Sequence, residues 1–244
     1  METTEKTAKF SASNISRLLS GGNGKTAQSY ILELALQSIG IKKDIDTSAT
    51  RHGLNNQLNG FQSAIIPNYP DAIWFDEYLP INDLCGASPD FLVNGCPGDI
   101  KCPYTVDSFL EQINSVPSKY YDQVQMQMMA CKADLGILAF YLTRPEDWGQ
   151  EDWEEYPIEV EKRYKIFEFK QDEEMQENIL KKVEESEPKK QQIINLLNNA
   201  KIMDFEQFFF IQWEGNKLRK IQDCNNIYKL EQIIRVNNTF YYEL

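Results

Sequence analysis

The sequence predicts an α/β fold in which helices cover a mixed β-sheet. Two observations carry this prediction: the 244 residues are 42% hydrophobic, enough for a sizeable core, and helical and strand-like patterns alternate along the chain. Helices come first, a strand meander follows, and the order then becomes helix, strand, strand, helix. The length fits one large domain or one domain with an appendage. We expect residues 1–200 to form the main domain and residues 201–244 to form a C-terminal extension packed on it.

Three helices are predicted in the first quarter of the chain. Residues 11–20 contain serines that can cap a helix, and the Gly-rich residues 21–24 end it. Residues 26–39 carry apolar side chains at helical spacing, and Gly40 stops that helix. Residues 53–66 are compatible with a further helix.

A β-hairpin is predicted next. Residues 73–79 and 90–93 are strand-like, and the dipeptide Asn94-Gly95 is a strong turn signal. Residues 98–102 resume the strand after the turn. The hairpin would therefore place residue 90 on a strand next to residues 98–102.

The remaining elements follow from periodicity. Residues 118–133 have the pattern of a helix, and residues 136–143 form an apolar run typical of a buried strand. Residues 157–169 alternate in part, as a half-buried strand does. Residues 171–200 are charged and helical, and we expect an interruption at Pro188.

Composition excludes several function classes. The one histidine, His52, cannot supply a zinc site with two or three histidines, and no G-x-S-x-G segment accompanies it. The sequence contains no run of about 18 apolar residues, so no membrane-spanning helix is predicted. The start, METTEKTAKFSAS, lacks the apolar region of a secretory signal. We expect an intracellular protein without membrane contact, whose chemistry depends on carboxylates and lysine.

The charge is unevenly distributed. The formal net charge is −12, which disfavours contact with phosphates. Residues 1–51 nevertheless carry seven Lys or Arg against five acids, whereas the rest of the chain carries 18 against 32. A DNA-binding surface, if present, should therefore draw on the N-terminal segment, including Arg17 and Arg51.

Two aspartates and a lysine form the candidate site. Asp99 and Lys101 are alternate residues of a predicted strand, so their side chains project from the same face. Asp90 lies on the neighbouring strand of the hairpin. Two carboxylates and an ammonium group at one point suit Mg²⁺-assisted hydrolysis of a phosphodiester. An isolated Asp-x-Lys also occurs as a structural ion pair, and that alternative stays open at this point.

Three motifs in order give the chain a resemblance to a known family. Ser88-Pro89-Asp90 is followed by a short hairpin and by D-I-K-C-P at residues 99–103. Y-Y-D-Q-V-Q begins at Tyr120, and Ser11-Ala12-Ser13 lies upstream. Together these segments resemble the motifs of the lambda exonuclease and YqaJ-type viral recombinase family, a branch of the PD-(D/E)XK nuclease superfamily. The resemblance covers roughly residues 6–143.

The resemblance implies a PD-(D/E)XK restriction-endonuclease-like core within residues 1–200 and a divalent cofactor, Mg²⁺ with Mn²⁺ as an alternative. The implied metal ligands are Asp90, Asp99 and the backbone carbonyl of Ile100, Lys101 would activate water, and Gln123 and Tyr120 would contact the metal-site water or the scissile strand. Without the resemblance, Tyr120 and Gln123 could equally be ordinary helix surface.

The resemblance also implies a pocket for a 5′-phosphate, formed by Ser13 and Lys6, although Ser13 could instead only cap a helix. Lysine at position 6 replaces the arginine of the better-known member, so phosphate selectivity should be weaker.

Two further departures concern the metal. Asp99 stands where the family usually has glutamate, and Gln57 stands where the family has a helix glutamate. A neutral ligand at residue 57 should weaken a second metal.

As a function, the resemblance implies an exonuclease that degrades linear double-stranded DNA from 5′ to 3′ and leaves a 3′ strand for recombination. It further implies a ring-shaped homotrimer, a single-strand annealing protein as partner, and a cytoplasmic location in a bacterial host cell, with phage or prophage origin. Two alternatives remain: an endonuclease or single-strand nuclease on the same fold, and a DNA-binding module with a weakened site.

Overall fold

The computed structural model describes residues 8–20, 25–41, 47–143 and 158–199, together with five short strands between residues 201 and 242. The described helices are α1 Ile15–Leu19, α2 Lys25–Ser38, α3 Ser48–Gly60, α4 Val106–Asn114, α5 Ser118–Cys131 and α6 Glu173–Asn199. The strands before residue 200 are β1 Phe10–Ser11, β2 Ile73–Trp74, β3 Leu79–Pro80, β4 Cys85–Ala87, β5 Phe91–Val93, β6 Cys96–Lys101, β7 Leu135–Tyr141 and β8 Tyr164–Lys170.

The central sheet has five strands in the order β2-β5-β6-β7-β8. Strands β6 and β7 run parallel, and the other neighbours are antiparallel, so the sheet is mixed. Helices α4 and α5 supply the crossover that joins the two parallel strands. The predicted fold class, an α/β fold with helices on a mixed sheet, is confirmed.

The turn between β5 and β6 fixes the register of the site. Asn94 and Gly95 adopt φ angles of 51° and 84°, the left-handed values that a tight hairpin turn requires. Phe91 is therefore paired with Gly98, and the backbone N–H of Asp90 donates to the carbonyl of Gly98 at 2.9 Å. The ladder thus continues to Asp90, one residue before β5 begins.

Helices cover both faces of the sheet. On one face, the π-helical segment Phe61–Ile65 that continues α3 packs against Ile100, Ile137 and Tyr141. On the other face, Val124 and Met128 of α5 pack with Phe109, Leu138 and Phe140. A third apolar cluster joins α1, α2 and α6 to α5. Among the described helices, none is both long and apolar enough to cross a membrane.

Three local predictions need correction. Residues 11–20 are not one helix, because Phe10 and Ser11 pair in parallel with β4, and a 3-10 turn at Ala12–Asn14 precedes α1. Helix α6 runs through Pro188 without interruption. Apolar packing of Ile179, Val183 and Ile194 along one face of α6 offsets the lost backbone hydrogen bond.

The third correction concerns residues 73–79, which do not form one strand. Only β2 lies in the central sheet, and β3 belongs to a small sheet of order β1-β4-β3. Beyond residue 200, strands β9 Lys201–Met203, β12 Ile233–Val236 and β13 Thr239–Tyr242 pair with one another, and β10 Ile211–Glu214 pairs with β11 Lys217–Lys220. The division of the chain near residue 200 stays a prediction.

Candidate active site

The structure brings Asp90, Asp99 and Lys101 together at one end of the β5–β6 hairpin. Oδ2 of Asp90 accepts the backbone N–H of Ile100 at 2.7 Å, so this carboxylate lies directly beside the strand that carries Asp99 and Lys101. Nζ of Lys101 lies 2.7 Å from Oδ2 of Asp99. The strand periodicity therefore placed the two β6 side chains on the same face, and the hairpin turn placed Asp90 next to them.

Helix α3 reaches the site through Gln57. Its Nε2 donates to Oδ2 of Asp90 at 3.1 Å and to the carbonyl oxygen of Ile100 at 3.5 Å. The helix begins after Thr47, whose hydroxyl accepts the N–H of Thr50, and so has a capped start. Gln57 thus faces two oxygen atoms that the resemblance names as metal ligands, and rotation of its amide would present Oε1 instead of nitrogen.

Helix α5 covers Asp99 from the other side. Asp99 is 2% exposed, and its Oδ1 accepts hydrogen bonds from Nε2 of Gln123 and, at 3.0 Å, from Nε2 of Gln127. The Tyr120 ring lies below Lys101, with Nζ 5.1 Å from the ring centroid, and packs edge-on against Phe140. Gln123 and Tyr120 therefore both line the site.

Sequence reasoning missed Gln127. Gln123 and Gln127 are four residues apart, so both lie on the same helix face, and this spacing was the available signal. The intervening Gln125 has a different role, because its Nε2 donates to the Lys170 carbonyl and its Oε1 accepts the N–H of Asp172.

Burial and charge control protonation in the site. Burial raises the pKa of Asp90 to about 8, with a further contribution from the negative charge of Asp99. Burial lowers the pKa of Lys101, but the nearby Asp99 and Asp90 carboxylates more than compensate, and its pKa is raised overall. Lys101 is therefore an ammonium ion as long as both carboxylates face it.

The residues fit a hard divalent cation. The site offers carboxylate oxygens of Asp90 and Asp99, the Ile100 carbonyl and the Gln57 amide, all of the oxygen type that Mg²⁺ prefers. Oδ2 of Asp99 is buried and accepts no hydrogen bond of ordinary geometry from the described residues, although the Lys101 ammonium lies close to it as an ion pair. A cation would satisfy this oxygen. Within the described residues, no three His, Cys, Asp or Glu side chains form a metal-binding group.

Three of the four predicted phosphate-binding residues lie in the described part of the chain. Ser13 is exposed in the 3-10 turn, which packs against α5, and its Oγ lies 3.3 Å from Oγ of Ser11. Arg17 is ion-paired with Glu33 at 2.9 Å, so its charge is partly compensated. Arg51 lies exposed on α3, the helix of Gln57. Lys6 lies outside the described residues, and the phosphate-binding roles stay predictions.

No protein-family model matches the chain, and no curated protein matches it by sequence. Solved structures do match it. An alkaline exonuclease from Laribacter hongkongensis, LHK-Exo, is 20% identical, with a TM-score of 0.64 over 79% of this chain and 93% of that one, and the same values hold for its complex with dAMP. A phage-related exonuclease from Haemophilus somnus 129PT is 16% identical, with a TM-score of 0.63 over 77% of this chain and 95% of that one. The chain therefore has the same fold as these exonucleases, in agreement with the α/β fold class that the sequence predicts.

Proposed function

We propose that the chain is a metal-dependent exodeoxyribonuclease. One observation carries the proposal: Asp90, Asp99 and Lys101 converge beside the Ile100 carbonyl in a largely buried site. Structural ion pairs also bring opposite charges together. Here, however, one lysine faces two acids, and the pKa of Asp90 is raised to about 8, so ionised Asp90 destabilises the fold. A purely structural role does not explain such a group. The likeness in fold to two proteins named as exonucleases supports the same function.

In this proposal, Asp90, Asp99, the Ile100 carbonyl and Gln57 hold Mg²⁺, or Mn²⁺ in its place. The bound ion would stabilise the charge that develops on the phosphate oxygens during in-line displacement. Lys101 remains an ammonium and orients the attacking water by donating hydrogen bonds, and it could act as a base only after its carboxylate partners are neutralised. Tyr120 packs beneath the Lys101 ammonium and limits its movement.

The substrate that we propose is the end of linear double-stranded DNA, degraded from 5′ to 3′ to give 5′-phosphate products and a 3′ single strand for recombination. This choice rests on the family resemblance, as do a ring-shaped trimer and a single-strand annealing protein as partner. A ring also reconciles DNA binding with the net charge of −12, because basic residues can line a channel while acidic residues face outward.

The test is digestion of linear duplex DNA with Mg²⁺. Substrates labelled at the 5′ or the 3′ end, with or without a 5′-phosphate, report polarity, and a covalently closed circle reports endonuclease activity. We expect wild-type protein to shorten the linear DNA from its 5′ ends and to leave the circle intact, whereas Lys101→Ala should digest neither substrate. Equal digestion by Lys101→Ala would falsify the catalytic assignment, and cleavage of the circle would favour an endonuclease.

One observation favours a second candidate, a DNA-binding module with a weakened site. Gln57, rather than a carboxylate, contacts Asp90, so the site has two acids instead of three. If this candidate is correct, wild-type protein binds DNA ends in a gel-shift assay but digests them no faster than Lys101→Ala at any Mg²⁺ or Mn²⁺ concentration.

A further inference from the structure

Two glutamines of α5 converge on a single oxygen of the site. Gln123 and Gln127 lie one helical turn apart, and both donate their amide N–H to Oδ1 of Asp99, Gln127 at 3.0 Å. Both side chains are buried, and Gln127 is 0% exposed. Oδ1 of Asp99 is thus occupied by two donors, and Oδ2 is the oxygen that faces Lys101.

Packing does not account for glutamine at position 127. Its Oε1 is buried and has no hydrogen-bond partner among the described residues. A buried polar atom without a partner is unfavourable, and methionine of similar volume would avoid it. Among the described residues, the hydrogen bond to Asp99 is the contact that glutamine makes and methionine could not make.

Gln125 provides a comparison on the same helix. It is equally buried, but both ends of its amide are used: Nε2 donates to the Lys170 carbonyl at 2.9 Å, and Oε1 accepts from Asp172 and Gln176 at 3.0 and 3.2 Å. These bonds tie α5 to the turn between β8 and α6. Gln125 therefore stabilises the fold, whereas the hydrogen bond of Gln127 is directed to the site.

We propose that Gln127 is a positioning residue for Asp99. The terminal torsion of an aspartate side chain is broad, so the carboxylate needs partners to fix its plane. Two amide donors on Oδ1 hold that plane and direct Oδ2 towards Lys101 and towards the cation that the proposed function requires. The inference rests on that function, and Gln127 acts through Asp99 rather than on the substrate.

The experiment compares Gln127→Met with Gln125→Met as a matched control. Mn²⁺ binding is followed by calorimetry without DNA, unfolding by urea in EDTA, and DNA digestion by kcat and KM. We expect Gln127→Met to be as stable as wild type or more stable. Its Mn²⁺ affinity should fall by about tenfold or more, as is common when the hydrogen-bond partner of a metal ligand is removed. Its kcat should fall with little change in KM. Gln125→Met should lose stability and keep its Mn²⁺ affinity.

A double variant separates positioning from general damage. Because Gln127 is proposed to act through Asp99, adding Gln127→Met to Asp99→Asn should not lower Mn²⁺ affinity further. Gln127→Asn, which withdraws the donor by one methylene, replaces Gln127→Met if that variant does not fold. If the folded Gln127 variant binds Mn²⁺ as tightly as wild type does, the inference is wrong and the proposed function is unaffected. Absence of Mn²⁺ binding and of digestion by wild-type protein overturns both the proposed function and the inference.

Discussion

Nζ of Lys101 and Oδ2 of Asp99 lie 2.7 Å apart on alternate residues of β6, with Asp99 almost fully buried and Lys101 partly exposed. The lysine is thus held at the mouth of the site, where it can contact solvent and a phosphate at once. In the proposed function, the pair would have two separable roles: Asp99 would hold a cation, and Lys101 would act on the water or phosphate beside it.

Lys101→Met tests this separation, because methionine keeps an apolar stem and removes only the charged end. We expect cleavage to fall by about 100-fold or more, the range for loss of one hydrogen-bond donor that stabilises the transition state. Mn²⁺ affinity should be unchanged or higher, since a positive charge next to the cation is removed. Single-turnover digestion and calorimetry measure the two quantities.

Lys119→Met is the matched control for this change. Its ammonium lies 4.7 Å from the centroid of the same Tyr120 ring, but on an exposed side chain of α5. Removal of that charge should weaken DNA binding slightly and leave the single-turnover rate nearly unchanged. Similar losses in both variants would mean that net charge matters and the position of Lys101 does not.

The second prediction concerns pH and the metal-free protein. The pKa of Asp90 is raised from 3.8 to about 8 by burial and by Asp99, so the folded state holds this proton more tightly than the unfolded chain does. The stability from this group is therefore fully present below about pH 4 and is lost as the pH rises to about 8. Asp90→Asn should be more stable relative to wild type at pH 9 than at pH 5.

Urea unfolding in EDTA at both pH values measures this difference, and Asp71→Asn, at an exposed position, controls for the loss of a charge. The same protonation should make metal binding release a proton below pH 8, so Mn²⁺ affinity should rise with pH and level off above it. A stability difference between wild type and Asp90→Asn that is the same at pH 5 and pH 9 would contradict the assignment.

Local chemistry made much of the site predictable. The alternation of Asp99 and Lys101 and the Asn94-Gly95 turn are short-range signals, and each determines where a side chain points within a few residues. The parallel pairing of Phe10 with Cys85 is a contact between segments 75 residues apart, which no local pattern encodes. This pairing is the reason that residues 11–14 are not α-helical.

Two misses had signals in the sequence. Helix α4 has apolar residues at Val106, Phe109, Leu110 and Ile113, the spacing of an amphipathic helix, and Thr105 accepts the N–H of Ser108 as its cap. The short span between two prolines concealed it. The rule that a proline interrupts a helix led to the wrong prediction at Pro188. The burial of apolar side chains along α6 keeps the helix continuous there.

The third prediction is a pair of glycine substitutions with opposite effects. A Cβ at Gly98 would lie 2.0 Å from Cζ of Phe91, whose ring is fully buried over this glycine, so neither partner can move easily. We expect Gly98→Ala to lower the free energy of unfolding by about 1–3 kcal/mol or more. Because Asp99 is the next residue, Mn²⁺ affinity should also fall.

Gly53→Ala is the matched control in a helix. A Cβ there meets only the Cys102 carbonyl oxygen, at 4.0 Å, and the residue lies inside α3. We expect a gain of about 0.5–1 kcal/mol, because alanine restricts the unfolded chain. Urea denaturation of both variants is sufficient, and a loss of stability in Gly53→Ala as large as in Gly98→Ala would show that the Phe91 contact is not the cause.

The last prediction addresses the missing third acid. Gln57→Glu replaces the amide that donates to Oδ2 of Asp90 at 3.1 Å with a carboxylate of the same size. Without metal, the new charge repels Asp90 and removes its donor, so the free energy of unfolding at pH 8 should fall. With Mn²⁺, the added negative ligand should raise affinity by about tenfold or more and favour a second ion, since affinity depends on ligand charge.

Calorimetry gives the affinity and the number of ions, and urea unfolding with and without Mn²⁺ gives the two stabilities. Asn55→Asp adds the same charge to an exposed position two residues earlier on α3, which points away from the Gln57 face. If both variants change Mn²⁺ binding equally, the effect is one of net charge. If Gln57→Glu loses stability in EDTA yet regains it in Mn²⁺ while Asn55→Asp does neither, residue 57 is at a ligand position.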